Sequence, residues 1–445
     1  MIQNQQSISD QMNNQYQMEE SKQRISIDMV NQIKADGFIQ KLQEIHNDQI
    51  DSISLQFVGN TIDEIGAKHL GEGLSKCATI TSLHLELFGN MFGDNRLKYL
   101  AEGILKCVFL TSLNLNLSLN SIGENGVKYL SEELQKCVFL TSLNLNFHCN
   151  NIGDNGLNYL GEGLRKCFTL TSLNLNLINN SVNNIGAKYL GEKLSKCINL
   201  TSLNLNLGFN RIGQNGVKYL IEELSRCVTL TSLNLILLDN QIGDYGGMSL
   251  GGGFSKFFNL TSLNLHLGNN RIDENGAKVY GEELSKCFNF TYLNLDLSSN
   301  HIGKQGAKYL LKELFKCVNL TSLHLNLKSN QLCDAGVKNL EEGLSKWIHL
   351  DSLSLNVNEN LITKRGLQSI GQGLSKCVNL TSLNLILINN NNFGNISKNL
   401  GEGLSKCVSL TSLYIDIGYY HYGINKFNNI FRKAKRLIKY TLVYK

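Results

Sequence analysis

Cysteine and histidine are the side chains here with the widest chemical reach, as nucleophiles, metal ligands and proton carriers, and the chain holds twelve cysteines and nine histidines. Ten cysteines share one column: Cys77, Cys107, Cys137, Cys167, Cys197, Cys227, Cys287, Cys317, Cys377 and Cys407. Phe257 and Trp347 take the same place in two other units. Aromatic replacement means that the position asks for apolar bulk, which a metal or redox site would not tolerate. No C-x-x-C pair supplies zinc spacing. The expected role is a small buried hydrophobe, and thiols so numerous and aligned suit a reducing, cytoplasmic compartment.

The histidines do not converge. His84 and His324 share a column but stand eight units apart, about 38 Å at strand spacing, which excludes a common metal. Glycine recurs from Gly66 and Gly126 to Gly366 where a turn enters a helix, yet no strand–GxxxxGK[ST]–helix phosphate loop occurs. HRD, DFG and VAIK kinase motifs are missing as well. The reading is therefore a non-enzyme without cofactor, metal or catalytic residues.

The columns arise because the chain repeats every 30 residues. TSLNLNL and its variants begin at 51, 81, 111 and onward to 411, which is the signature of a solenoid. In the unit 110–139, Leu113, Leu115 and Leu117 alternate with Ser112, Asn114 and Asn116, as in a strand with one buried face. Val127, Leu130 and Leu134 then follow at helical spacing, with Lys128, Glu132, Glu133 and Lys136 on the outer face. Each unit thus reads strand, turn, helix, turn.

Leu110, Leu113, Leu115, Asn120, Ile122, Gly126, Leu130 and Leu134 carry a resemblance. The unit resembles the ribonuclease-inhibitor-like class of leucine-rich repeats, LxxLxLxxNxLxxxGxxxLxxxLxxxxx, with two residues inserted before the Asn. The resemblance implies an α/β horseshoe solenoid, with a parallel β-sheet on its concave face and helices on its convex face. Its functional reach is broad, because that class includes inhibitors, innate receptors, GTPase activators and scaffolds. The insertion should lengthen each strand by about 6.6 Å, and being even it keeps every leucine on its face. The added inward position, from Phe57, Leu87 and Leu117 to Ile417, is apolar in all thirteen strands.

Asparagine follows the strand twelve times, from Asn60 to Asn390, and Tyr420 ends the series. A buried ladder of amides bonding neighbouring turns is the expected role. Binding is expected where the outward strand positions stop repeating. The richest such stretch holds Ile236, Leu238, Asp239, His266, Tyr292 and Asp296, an aromatic and apolar anchor with charge beside it. A second candidate is the last strand, with Tyr414, Asp416, Tyr419, Tyr420 and Tyr422. The glycine-rich helix GGMSLGGGF nearby reads as relaxed constraint.

Residues 1–24 read as a disordered polar tail and 25–50 as an N-terminal cap, with Ile33, Phe38, Ile39, Leu42 and Ile45 at helical spacing. Residues 51–417 are twelve full repeats and a final strand, and 418–445 a basic capping helix. The segment 426–445 has seven basic side chains and no acid, so a chain of net charge +5 has a slightly acidic body. A nucleic-acid partner is therefore not expected. The first residues lack a secretory pattern, and no apolar run is long enough to span a membrane. The expected function is a monomeric cytoplasmic scaffold that binds a protein on its concave face. The alternative is a regulator of a partner enzyme, GTPase-activating or nuclease-inhibiting.

Overall fold

A computed structural model of the protein describes residues 23–28, 50–59, 62–104, 106–287, 289–391, 397–418 and 439–444. The chain forms two compact units, Met1–Asn180 and Ser181–Lys445. In the first, the strands Gln23–Asp28, Ile50–Gln56, Ser82–Glu86, Ser112–Asn116, Ser142–Asn146 and Ser172–Asn176 lie side by side in chain order, all parallel. The second continues the pattern from Ser202–Asn206 to Ser412–Gly418 and closes on Lys439–Tyr444. A helix follows each repeat strand, so each unit is a solenoid of one sheet layer and one helix layer.

The strand alternation places Leu113, Leu115 and Leu117 at 1%, 0% and 0% exposure. Burying each leucine contributes about 1.5–3 kcal/mol. All thirteen residues of the added inward column, Phe57 through Ile417, are buried. Pairing also runs past the regular strand ends. Leu237 N donates to His266 O at 2.8 Å and Asp239 N to Gly268 O at 3.0 Å. The two inserted residues therefore extend the hydrogen-bonded ladder. It stops at the residue that makes this last bond, because the backbone turns left-handed there, as at Asp239 with φ 55°, a conformation the L side chain disfavours.

Some helices begin where a side chain satisfies an orphan N–H: Asp63 accepts from Gly66 N at 2.7 Å and starts Glu64–Ser75. The stripe Ala67, Leu70 and Leu74 faces inward. Glycine on these helices serves packing. A Cβ on Gly103 would meet Gly71 O at 2.2 Å, and one on Gly403 would meet Gly371 O at 2.0 Å. Neighbouring helices touch backbone to backbone there, so LGEGLSK is a contact surface.

The helix GGMSLGGGF corrects the expectation of relaxed constraint. A Cβ on Gly247 would lie 3.4 Å from Tyr280 Cε2, and one on Gly253 would lie 2.6 Å from Ile221 Cγ1. Small residues on this helix make room for large ones on its neighbours. The fully buried Tyr280 fills a position held by leucine in most units.

The ends also differ from expectation. Gln23–Asp28 pairs in parallel with Ile50–Gln56, so a strand begins inside the segment read as a polar tail and runs into the one read as a helical cap. Lys439–Tyr444 pairs in parallel with Ser412–Gly418, a strand where a basic helix is expected. A parallel sheet ends in unpaired N–H and C=O groups, and a strand satisfies them directly. Residues 29–49 and 419–438, with Tyr419, Tyr420, Tyr422 and most of the expected capping helices, lie outside the described residues.

Candidate functional site

Two columns with chemical potential resolve into structure. Asn300 donates from Nδ2 to Leu267 O at 3.0 Å and to Leu297 O at 2.9 Å, and its Oδ1 accepts from Asn270 N at 3.0 Å and Ile272 N at 2.9 Å. Asn90, Asn120, Asn270, Asn330 and Asn360 repeat the pattern. Each amide ties the turns of consecutive repeats, as expected for buried polar groups. Asn60 lies outside the described residues.

All twelve cysteines are free, and the ten of the column are buried. Burial pushes the thiols of Cys107, Cys197 and Cys317 up to about 12, so the nucleophilic thiolate is strongly disfavoured. The Sγ of Cys317 faces Leu284 O at 3.5 Å. Phe257 and Trp347 are buried in the same column, and Trp347 Nε1 donates to Leu314 O at 3.2 Å. The position thus takes apolar bulk and also accommodates a donor.

On the outward sheet face of the second unit, the register assembles part of the predicted patch. His266 pairs with Ile236 of the preceding strand and Asp296 of the following one, so the three form a row. Leu238 and Asp239 extend this row past the strand end, and all five are half-buried. His266 Nε2 lies 2.9 Å from Asn264 Oδ1, which accepts, so this nitrogen carries the proton. Its Nδ1 faces Asp296 Oδ2 at 3.7 Å. Asp296 Oδ1 accepts from Ser298 N at 2.8 Å. Beneath the row, Asn264 donates to Asn234 and Asn234 to Asn204, both at 2.8 Å.

Tyr292 stands apart from the row. It opens the strand that Asp296 ends, with Asn294 between them on the same face. Its ring packs against His324, centroids 5.7 Å apart and tilted by 42°. Burial lowers the His324 pKa from its ordinary value. His324 is therefore a member of this face that strand-by-strand reading missed, although it already broke the Ser/Asn pattern of its column. Lys328 and Glu359, 3.1 Å apart, add an ion pair two strands on. In the second candidate region, burial and then Asp416 hold the Tyr414 phenol above its ordinary pKa.

Among the described residues, no group of three or more His, Cys, Asp or Glu is placed to hold a metal ion. No helix there is long and apolar enough to cross a membrane.

A family described as leucine-rich repeat matches residues 196–220 and 287–311. No curated protein matches the chain. Among solved structures it is similar to a leucine-rich-repeat protein of Leptospira interrogans at 15% identity, covering 94% of this chain and 100% of that one, with a TM-score of 0.44. The 30-residue period, the parallel strands paired in chain order and the buried asparagine ladder make a leucine-rich-repeat solenoid fold, in keeping with the family match over parts of the repeat array.

Proposed function

We propose that this protein is a non-enzymatic scaffold whose outward sheet face docks a protein partner, with Ile236, Leu238, Asp239, His266, Tyr292 and Asp296 as the contact patch. The observation that carries the reading is the row Ile236–His266–Asp296, three unlike side chains in direct register on adjacent strands, between the asparagines of the four strands before it (Asn116 to Asn206) and the two after it (Asn326 and Asn356). Their backbones are held in the ladder, so binding costs little ordering. The acids Asp239 and Asp296 beside apolar Ile236 and Leu238 fit a partner segment that carries a basic side chain with apolar neighbours. A guanidinium or ammonium would pair with the carboxylate of Asp296. The buried thiols support a reducing, cytoplasmic setting, and the helix in each repeat supports the ribonuclease-inhibitor-like subclass.

Affinity capture with the full chain, wild type against His266→Ala/Asp296→Ala and Tyr292→Ala, tests the patch. Loss of one or more captured proteins from the variants is expected; identical partner lists discard it. The second reading, regulation of a partner enzyme, would rest on a few side chains at a sheet edge or turn. Its test is the turnover of a captured GTPase or nuclease with and without the chain.

A further inference from the structure

The turn from each helix into the next strand carries a second surface, away from the sheet face. Its sequence is a basic residue, the buried cysteine-column residue, then an apolar residue: Lys256-Phe257-Phe258, Lys346-Trp347-Ile348, Lys376-Cys377-Val378. The middle residue is core, whereas the apolar residue after it is not. In the second unit Ile198, Val228, Phe258, Val318, Ile348 and Val378 are 47% to 74% exposed. The basic column beside them, from Lys196 and Arg226 to Lys406, is exposed throughout that unit.

The apolar side chains stand on a fixed platform. The carbonyls of four are bonded by the next repeat: Thr229 Oγ1 to Ile198 O at 3.0 Å, Asn259 Nδ2 to Val228 O at 2.8 Å, Asn289 Nδ2 to Phe258 O at 2.7 Å and Asn379 Nδ2 to Ile348 O at 2.6 Å. This fixed backbone explains the Asn or Thr at positions 229, 259, 289 and 379, but not why the neighbouring exposed side chains are apolar. A helix C-terminus favours a cation, which accounts for one basic residue per turn and leaves the apolar row beside it unexplained.

Charge indicates what would cover the row. Arg226, Lys286 and Lys316 are paired with Glu223, Glu283 and Glu313 on their own helices. At Lys256, Lys346, Lys376 and Lys406, glycine stands where those glutamates would be: Gly253, Gly343, Gly373 and Gly403. The apolar row is thus bordered by cations whose local countercharge is removed in four repeats. Near-identical units in a line give a sequence-specific partner no register to lock. A fluid surface needs none.

We propose that this edge of the second unit binds an anionic lipid surface, with Phe258, Ile348 and Val378 entering the interface and Lys256, Lys346 and Lys376 meeting the headgroup charge. This surface is independent of the sheet-face reading and survives its failure.

The test is co-sedimentation of the full chain with phosphatidylcholine vesicles, with and without phosphatidylserine. Binding should require phosphatidylserine and weaken with salt. Lys256→Gln/Lys346→Gln/Lys376→Gln should lower the partition coefficient about a hundredfold, at roughly one surface cation's attraction per lysine. Phe258→Ser/Ile348→Ser/Val378→Ser should lower it at least about tenfold through lost apolar burial. Circular dichroism checks that both variants fold, as expected for exposed positions. Absence of binding to phosphatidylserine vesicles overturns the proposal. The basic segment 426–445 is present in every variant, so an affinity that both folded variants retain belongs there and overturns it too.

Discussion

Trp347 donates its indole N–H to the carbonyl of Leu314 at 3.2 Å, the contact that Cys317 Sγ makes one repeat earlier with Leu284 at 3.5 Å. The tryptophan ring also lies 4.7 Å, centroid to centroid, from Phe315 on the preceding helix. A Cβ on Gly343 would clash with Phe315 at 1.8 Å, so Gly343, Phe315 and Trp347 form one fitted group.

Two substitutions separate bulk from donor at this position. Trp347→Phe keeps most of the bulk and loses the N–H, which should cost about 1–2 kcal/mol. Trp347→Cys restores the column's usual residue but leaves a void beside Phe315, which should cost about 3 kcal/mol or more. Urea unfolding of both variants, followed by far-ultraviolet circular dichroism, orders them. A cysteine variant as stable as wild type would show that the donor alone selects the residue.

Asn300 makes a sharper prediction because its amide both donates to and accepts from the turn of the preceding repeat. Asn300→Ala strands Asn270 N, Ile272 N and Leu267 O at a site 3% exposed. The cost should be about 3 kcal/mol or more. Asn300→Asp keeps the acceptor but turns the donor into an oxygen facing Leu267 O and Leu297 O, so it should be worse. Hydrogen exchange at Asn270 and Ile272 should accelerate in both variants. Unchanged protection there would remove the ladder from the account of stability.

How much of this was legible follows from where the period holds. Leu117 and Asn120 could be placed from sequence because thirteen copies fix the register, and a one-residue slip would expose every leucine. The end strands could not be placed that way, because QRISID and KYTLVY lie outside the repeat and owe their conformation to the sheet edge they cover. The alternation of β-formers in Tyr440-Thr441-Leu442-Val443-Tyr444 was the available signal, outweighed by the basic run before it. On the sheet face, the row Ile236–His266–Asp296 follows from spacing alone. The packing of Tyr292 on His324 depends on side-chain rotamers, which spacing does not fix.

Asp244 supplies a pH prediction. Its Oδ1 accepts from Asp273 N at 2.6 Å, while the Asp273 carboxylate caps the next helix at Asn275 N and Gly276 N. Burial first, then the Asp273 carboxylate, raises the Asp244 pKa, against which Asp273 N–H and His301 pull it down. A raised acid pKa means that the fold prefers the protonated form. Asp244 therefore costs stability above its folded pKa, and the cost is relieved as pH falls through that value. Asp244→Asn keeps the Oδ1 acceptor and removes the charge. Its melting temperature should exceed that of wild type at pH 7, with the gap narrowing toward about pH 4 as carboxyls protonate. A gap that widens on acidification would contradict the assignment.

Tyr280 and Gly247 give the last prediction, which concerns coupling across repeats. The Tyr280 hydroxyl is fully buried and has no hydrogen-bond partner among the described residues. Burial also holds its pKa well above the ordinary value, so it stays neutral. Tyr280→Phe removes a polar atom that folding must strip of water, and should stabilise by about 1–2 kcal/mol. Tyr280→Leu restores the residue of most other units, yet it should destabilise by about 2 kcal/mol, because Gly247 leaves the space that the ring fills. Adding Gly247→Ala places a methyl group toward that space and should recover part of the loss, whereas Gly247→Ala alone meets the ring at 3.4 Å and gains little. The double-mutant cycle should therefore show a favourable interaction term between the Tyr280→Leu and Gly247→Ala substitutions. Strict additivity in thermal unfolding would mean that the two residues were not fitted to each other, and that tyrosine stands at this position for a reason other than volume.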